Sequence, residues 1–249
     1  MPILPSLANA ANAAVVGASG GIGAAMLRQL SADDGIANVF ALSRSAATQR
    51  PEPKITPLPV DITDEATIRA AAESCARQGP LDLVVVATGV LHSGEDLRPE
   101  KRLRDIDGEV MQQVFTINAI GPALVAKHFL PLLRRDHKTV FAALSARVGS
   151  IGDNRLGGWA SYRASKAALN MLLKTVSIEH ARGWPASVVA ALHPGTVDTR
   201  LSQPFQAGVP TGKLFTPEFA AGRLLSVMDG LTAADTGGVF AWDGSRIDY

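Results

Sequence analysis

One cysteine, Cys75, stands among 249 residues, which excludes an internal disulfide and a cysteine-cluster zinc site. The five histidines (His92, His128, His137, His180, His193) are dispersed and show no HExxH or comparable ligand spacing, so a metal enzyme is not expected. Neither charge is in excess: 24 basic and 23 acidic residues leave +1. Such a balance offers no pull toward nucleic acid or an anionic membrane. Long apolar runs are also missing, and stretches such as 83–87 are far too short to span a bilayer. The N-terminal region has an AxA-like run, but two prolines break its apolar stretch and the first basic residue is Arg28. It therefore does not read as a signal peptide, and a cytoplasmic protein is expected. Charged residues make up only 19%, against 47% hydrophobic. That composition suits a well-filled core, and a domain of this size needs no staples.

What is present is an alternation of short apolar runs and helical stretches. Strands are expected at 13–17, 38–43, 55–60, 81–88, 139–145, 187–193 and 239–242, and helices at 22–33, 64–78, 107–135, 160–181 and 216–229. The strands are unbroken apolar runs, Val84-Val85-Val86 above all, as in a parallel sheet covered on both faces. Thr216-Pro217-Glu218 supplies an N-cap, a first-turn proline and an acid to the last helix. Pro122 and Pro131 are expected to kink or divide the 107–135 helix. The βαβα order implies an α/β doubly wound parallel sheet of about seven strands in a single domain, 1–249. Two irregular stretches, 146–158 and 194–215, follow strand ends, on the edge where such sheets bind ligands.

The first strand leads into Gly17-Ala18-Ser19-Gly20-Gly21-Ile22-Gly23. Glycines let backbone N–H groups approach an anion, and the following helix start adds partial positive charge, so a pyrophosphate fits. The same residues fit the GxSxG elbow of an α/β hydrolase, with Ser19 as nucleophile. That alternative needs strands before the elbow, where only a short tail stands, and a late histidine, for which His193 is the one loose candidate. About 20 residues beyond the loop, an acid would bind the ribose hydroxyls of NAD. Here the position reads Ala41-Leu42-Ser43-Arg44. A carboxylate would repel a 2′-phosphate, whereas Arg44 beside Ser43 can clamp it, which favours NADP(H) over NAD(H).

Only two tyrosines occur, and one of them, Tyr162, lies four residues before Lys166, on the same helix face. A free phenol has a pKa near 10. With a nearby ammonium and an oxidised nicotinamide to lower it, Tyr162 could pass a proton to or from a carbonyl oxygen while hydride moves at carbon.

The glycine loop, Asn118, Tyr162-x-x-x-Lys166 and Pro194-Gly195-Thr196-Val197-Asp198-Thr199 stand in the order of the short-chain dehydrogenase/reductase family. The chain resembles that family over nearly its whole length. The stretch 148–159 is similar to the C-factor and Sniffer-type carbonyl reductase subgroup. The resemblance implies a Rossmann-type fold and assembly as a homodimer or homotetramer. It also implies roles: Tyr162 as acid/base, Lys166 lowering its pKa and holding the nicotinamide ribose, and Asn118 ordering a water in a proton relay. By position it places Gly17, Ser19, Gly20, Gly21, Ile22 and Gly23 at the pyrophosphate and Asp61 with Ile62 at the adenine. Ala87, Thr88 and Gly89 fall beside the adenosine ribose, and Pro194, Gly195, Val197 and Thr199 around the nicotinamide.

One departure touches the chemistry. The family's substrate-polarising serine lies three residues before a glycine, and counting back from Gly149 reaches Ala146. Ser145 is the nearest hydroxyl and the expected replacement, provided that the backbone turns there; an extended strand would point the two residues to opposite faces. The leading expectation is an NADP-dependent oxidoreductase acting on a carbonyl/alcohol pair. The rival is a low-turnover nucleotide-binding signalling protein, similar to C-factor.

Overall fold

The computed structural model of the chain describes residues 2–46 and 52–249. Its strands, in chain order, are β1 (Ala11–Val16), β2 (Ile36–Ser43), β3 (Ile55–Pro59), β4 (Leu83–Val86), β5 (Thr139–Leu144), β6 (Ser187–His193), β7 (Thr196–Val197), β8 (Leu214–Phe215) and β9 (Val239–Ala241). Seven of them pair in parallel in the order β3-β2-β1-β4-β5-β6-β9, while β7 and β8 form a separate parallel pair. The seven-stranded sheet is the doubly wound one expected.

Side chains alternate across each strand, so both faces must be covered. Ala13 and Val15 of β1 face α1 (Gly21–Ala32) and α6 (Pro217–Gly230), meeting Met26, Leu30, Leu224 and Met228. Ala14 and Val16 face the other layer, built from α2 (Glu65–Ala76), α4 (Gly121–Phe129) and α5 (Ala160–His180), with Ile68, Phe129 and Leu169. The unbroken apolar runs of β1, β4 and β5 are thus strands buried on both sides, whereas the edge strand β3 is only half-buried. Among the described residues, no helix is long and apolar enough to cross a membrane.

The 107–135 helix is divided, as its prolines suggest. It consists of α3 (Gly108–Phe115), a π-helical turn Thr116–Ile120, α4 and a 3₁₀ turn Leu130–Leu132. Pro131 lies in the last of these. Pro122 sits in the first turn of α4 and has no N–H, so the helical donor to the Asn118 carbonyl is missing. The Gly121 N–H reaches back to Thr116 O instead, which widens the turn around Asn118.

Helix starts fall into two kinds. Asp64 caps α2, accepting from the Ala66 N–H at 2.9 Å, and Asp107 caps α3, accepting from the Glu109 and Val110 N–H groups. Thr216 caps α6 through the Phe219 N–H at 3.2 Å. Neither α1, which begins after Gly20, nor α5, which begins after Trp159, has a side-chain cap at its N-cap residue.

From β1 the chain winds outward to β2 and β3, and from β4 it winds the other way. The carboxyl ends of β1 and β4 therefore flank a crevice at the topological switch point, where open α/β sheets take their ligands.

Candidate active site

The glycine loop leaves β1 at that switch point. Gly17 takes φ +87°, a conformation that side chains disfavour, and its carbonyl accepts the Gly20 N–H at 3.0 Å. A Cβ on Gly23 would collide with the same carbonyl, so only glycine lets α1 start this close to the loop. Ser19 and Gly20 are exposed, and the first turn of α1 carries no acidic residue. Its free N–H groups and partial positive charge are a seat for an anion. Thr199 closes over this seat, its methyl 2.6 Å from where a Gly21 Cβ would lie.

Beside the loop, Thr88 packs against Gly17, and its Oγ1 is buried with no hydrogen-bond partner among the described residues. At the end of β2, Ser43 is buried, with its Oγ 3.4 Å from that of Ser45, and Arg44 is exposed. Asp61 lies near enough to feel the Arg44 charge. Its carboxyl is held below the usual range by the Thr63 N–H and hydroxyl first and by Arg44 last. Asp61 does not cap α2, since Asp64 does that. Ile62 packs tightly on Gly121 at the start of α4. The residues expected around a dinucleotide therefore line one edge, and an unpartnered hydroxyl and an uncapped helix start among them fit that group.

Farther along the edge, α5 presents Tyr162 and, one turn on, Lys166, with Nζ 5.9 Å from the centre of the phenol ring. The Lys166 ammonium is buried and donates to Leu144 O at the end of β5 (2.8 Å). Gly89 lies opposite, where a Cβ would sit 3.6 Å from Lys166 Nζ and 3.5 Å from Asn118 Oδ1. Tyr162, Lys166 and Asn118 are thus brought together. Burial pushes the Tyr162 phenol up to about 12 and the Lys166 ammonium down to about 8. Desolvation is the cause in both groups. The Asn118 side chain is fully engaged with protein, accepting from Val90 N–H at 2.8 Å and donating to Val90 O at 2.8 Å and Ser165 Oγ at 3.2 Å.

Ser145 is not brought to the phenol. Ala146 is extended (φ −148°, ψ 147°), so the two residues point to opposite faces. The Ser145 hydroxyl donates to Asn170 Oδ1 at 2.7 Å, eight residues and about 12 Å along α5 from Tyr162. The backbone turn on which its expected role depends is absent. Ser161 is also turned away, its hydroxyl donating to Glu100. His193, the histidine of the hydrolase alternative, ends β6, with β4 and β5 between it and β1. That separation is about 14 Å, so Ser19 and His193 form no dyad.

Around the phenol stand rings from three loops. Trp159 meets Tyr162 edge-on at 6.3 Å and Phe205 at 5.0 Å, and Phe205 meets His92 at 5.8 Å. Gly195, at φ +77°, lies under the Phe215 ring, where a Cβ would be only 2.7 Å away. Two participants escaped the sequence reading. Val90 offers Asn118 only its backbone, and Glu100 reaches α5 from 61 residues upstream. Neither carries a local signal.

Residues 11–209 match the short chain dehydrogenase family. The chain belongs to that family. It is a short-chain dehydrogenase/reductase, an oxidoreductase that uses a nicotinamide cofactor, and Gly17 and Tyr162 both lie within the matched span. A relative in Rhodococcus sp. (strain AD45), 1-hydroxy-2-glutathionyl-2-methyl-3-butene dehydrogenase, is 32% identical over 94% of this chain and 98% of its own. The C-signal of Myxococcus xanthus is 36% identical over 69% of this chain and 94% of its own, in keeping with the expected subgroup. Among solved structures, the NADPH-bound carbonyl reductase from chicken fatty liver superimposes with a TM-score of 0.83 at 27% identity. That match covers 97% of this chain and 95% of the other.

Proposed function

We propose that this short-chain dehydrogenase is an NADP-dependent reductase or dehydrogenase acting on a carbonyl/alcohol pair, with Tyr162 as its acid/base. The observation that carries the reading is the buried group of Tyr162, Lys166 and Asn118 at the same strand edge as the uncapped start of α1. The nicotinamide, when bound, supplies or takes the hydride. Tyr162, kept protonated by burial, gives its proton to the carbonyl oxygen in reduction. Lys166 spends one N–H on Leu144 O and has two left for a ribose hydroxyl and a water. With its side chain spent on Val90, Asn118 contributes through its backbone carbonyl, which Pro122 leaves without the usual helical donor. Arg44 reads the 2′-phosphate. NADP is further supported by the NADPH seen in the chicken enzyme.

Tyr162→Phe keeps the ring and removes only the hydroxyl. On an aldehyde or ketone found by screening for NADPH oxidation, turnover is expected to fall at least ~10²-fold with NADPH affinity retained. Arg44→Ala is expected to cost about 1.5–3 kcal/mol of NADPH binding and to leave NADH binding nearly untouched. An active Tyr162→Phe enzyme would refute the acid/base assignment, and equal losses for both nucleotides would refute the role of Arg44.

A second reading, a low-turnover nucleotide-binding signalling protein, draws on Ala146, on the diversion of Ser145 to Asn170 and on the similarity to C-signal. Failure of every carbonyl in the panel, with NADPH bound normally, would favour it.

A further inference from the structure

We propose that Glu100 is a positioning residue for the reaction, capping from outside the helix turn that carries Tyr162. The proposal rests on the reading of Tyr162 as acid/base. Tyr162 is the third residue of α5, in the turn whose N–H groups have no partner within the helix. A helix normally secures that turn with a Ser, Thr, Asp or Asn at its N-cap. Here the N-cap is Trp159, whose indole cannot accept a hydrogen bond, and it stands in the left-handed region (φ 54°, ψ 43°). Gly157 and Gly158 before it are left-handed too, at φ +64° and +67°. The chain therefore enters this helix through three consecutive left-handed residues. Asn154 Oδ1 accepts the Gly157 N–H at 3.1 Å and Arg163 Nε donates to Gly158 O at 2.9 Å, but the N-cap residue offers the first turn no side-chain acceptor.

Glu100 supplies what is missing. Both of its carboxylate oxygens accept from the Ser161 N–H, at 3.3 and 3.2 Å, and Oε1 also accepts from the Ser161 hydroxyl. Its backbone carbonyl accepts the Trp159 N–H at 2.6 Å. One residue thus holds Trp159 at the N-cap and Ser161 immediately before Tyr162. Glu100 is only 5% exposed, and a carboxylate is costly to bury unless its oxygens are hydrogen-bonded. These bonds meet that cost, and the helix start adds a favourable partial positive charge. Lys166 lies a full turn deeper and has its own anchor on Leu144, so loosening the first turn displaces the phenol and leaves the ammonium in place.

The test compares Glu100→Ala and Glu100→Gln in the full-length enzyme, measuring kcat, substrate KM and, by nicotinamide fluorescence, NADPH affinity. Glu100→Ala is expected to lower kcat about 10-fold or more, with NADPH affinity held within about twofold. Glu100→Gln is expected to recover activity to within about threefold of wild type. Its amide oxygen still accepts the Ser161 N–H and its NH₂ can donate to Ser161 Oγ. Unchanged kcat in Glu100→Ala, a Gln variant as poor as Ala, or an equal loss of NADPH affinity would each overturn the proposal. If Glu100→Ala does not fold, Ser161→Ala removes the hydroxyl bond alone and is expected to lower kcat about threefold; no change there would also overturn it. A Tyr162→Phe enzyme that keeps its turnover would instead remove the acid/base reading, whatever the Glu100 variants do.

Discussion

The starts of α2 and α5 solve the same problem in opposite ways. At α2, Asp64 caps its own helix through a bond spanning two residues, and the sequence around it announces the helix. At α5, the cap is a glutamate 61 residues away, and the residue in the capping position is a left-handed tryptophan. The start of α1 is a third case, in which the N-cap residue, Gly20, has no side chain to cap the turn. The difference follows use. A helix end that only needs to exist is closed by its own sequence. The ends proposed to hold an anion or a reactive phenol are left open to a ligand or closed from elsewhere in the fold.

Closing an open end should break the contrast most strongly. Gly20 has φ −79° and ψ 163°, an extended conformation that any residue adopts. Gly20→Asp would cap α1 internally and place a negative charge where we propose the pyrophosphate sits. NADPH affinity is expected to fall at least ~10-fold while the unfolding temperature stays level or rises. Unchanged affinity by fluorescence titration would mean that this helix start holds no phosphate. Removing a local cap should do the reverse: Asp64→Ala is expected to cost about 1 kcal/mol of stability in denaturant unfolding and to leave kcat unaltered. A loss of turnover there would merge the two kinds of helix start.

The smallest effect is expected in mild acid, at the end of β6. Burial foremost, then Arg147, lowers His193 to about 4, against the weaker opposing pull of Asp243, and its Nδ1 has no partner among the described residues. Below pH 6.5 the unfolded chain binds a proton that the folded chain refuses until about pH 4, so stability falls as pH drops through that window. Between pH 7 and 6 the loss from this residue is expected to stay under about 1 kcal/mol. His193→Gln should flatten the dependence of unfolding temperature on pH, and an identical slope in both proteins would show that His193 contributes none of it.

The sheet and the juxtaposition of Tyr162 with Lys166 were legible because each rests on local spacing. Runs such as Val84-Val85-Val86 are buried on both faces, and Tyr162 and Lys166 share a helix face by sequence separation alone. The prolines marked where the 107–135 helix divides, but the π turn at Asn118 depends on where the Gly121 N–H goes. Ser145 failed as a site residue because the choice between it and Ala146 hung on whether the strand stays extended by one more residue. It does. Glu100 lay beyond reach for another reason: a cap made across the fold leaves no pattern near either partner. The two-residue strands β7 and β8 escaped likewise, since a pairing of Thr196–Val197 with Leu214–Phe215 is too short to show a period.

The sheet order also sets a timetable for synthesis. β1 is made before the other strands of the sheet, yet it belongs near the middle, with β2 on one side and β4 on the other. At 5–20 residues per second, the roughly 70 residues between β1 and β4 take about 3–14 s to emerge. All six residues of β1 are buried in the finished fold, so for those seconds an apolar strand waits with one edge unpaired. Long-range parallel pairing of this sort folds slowly and exposes sticky surface meanwhile. Until β4 arrives, β1 therefore has only one of its two final neighbours to pair with, and Tyr162 is made only after that gap is filled.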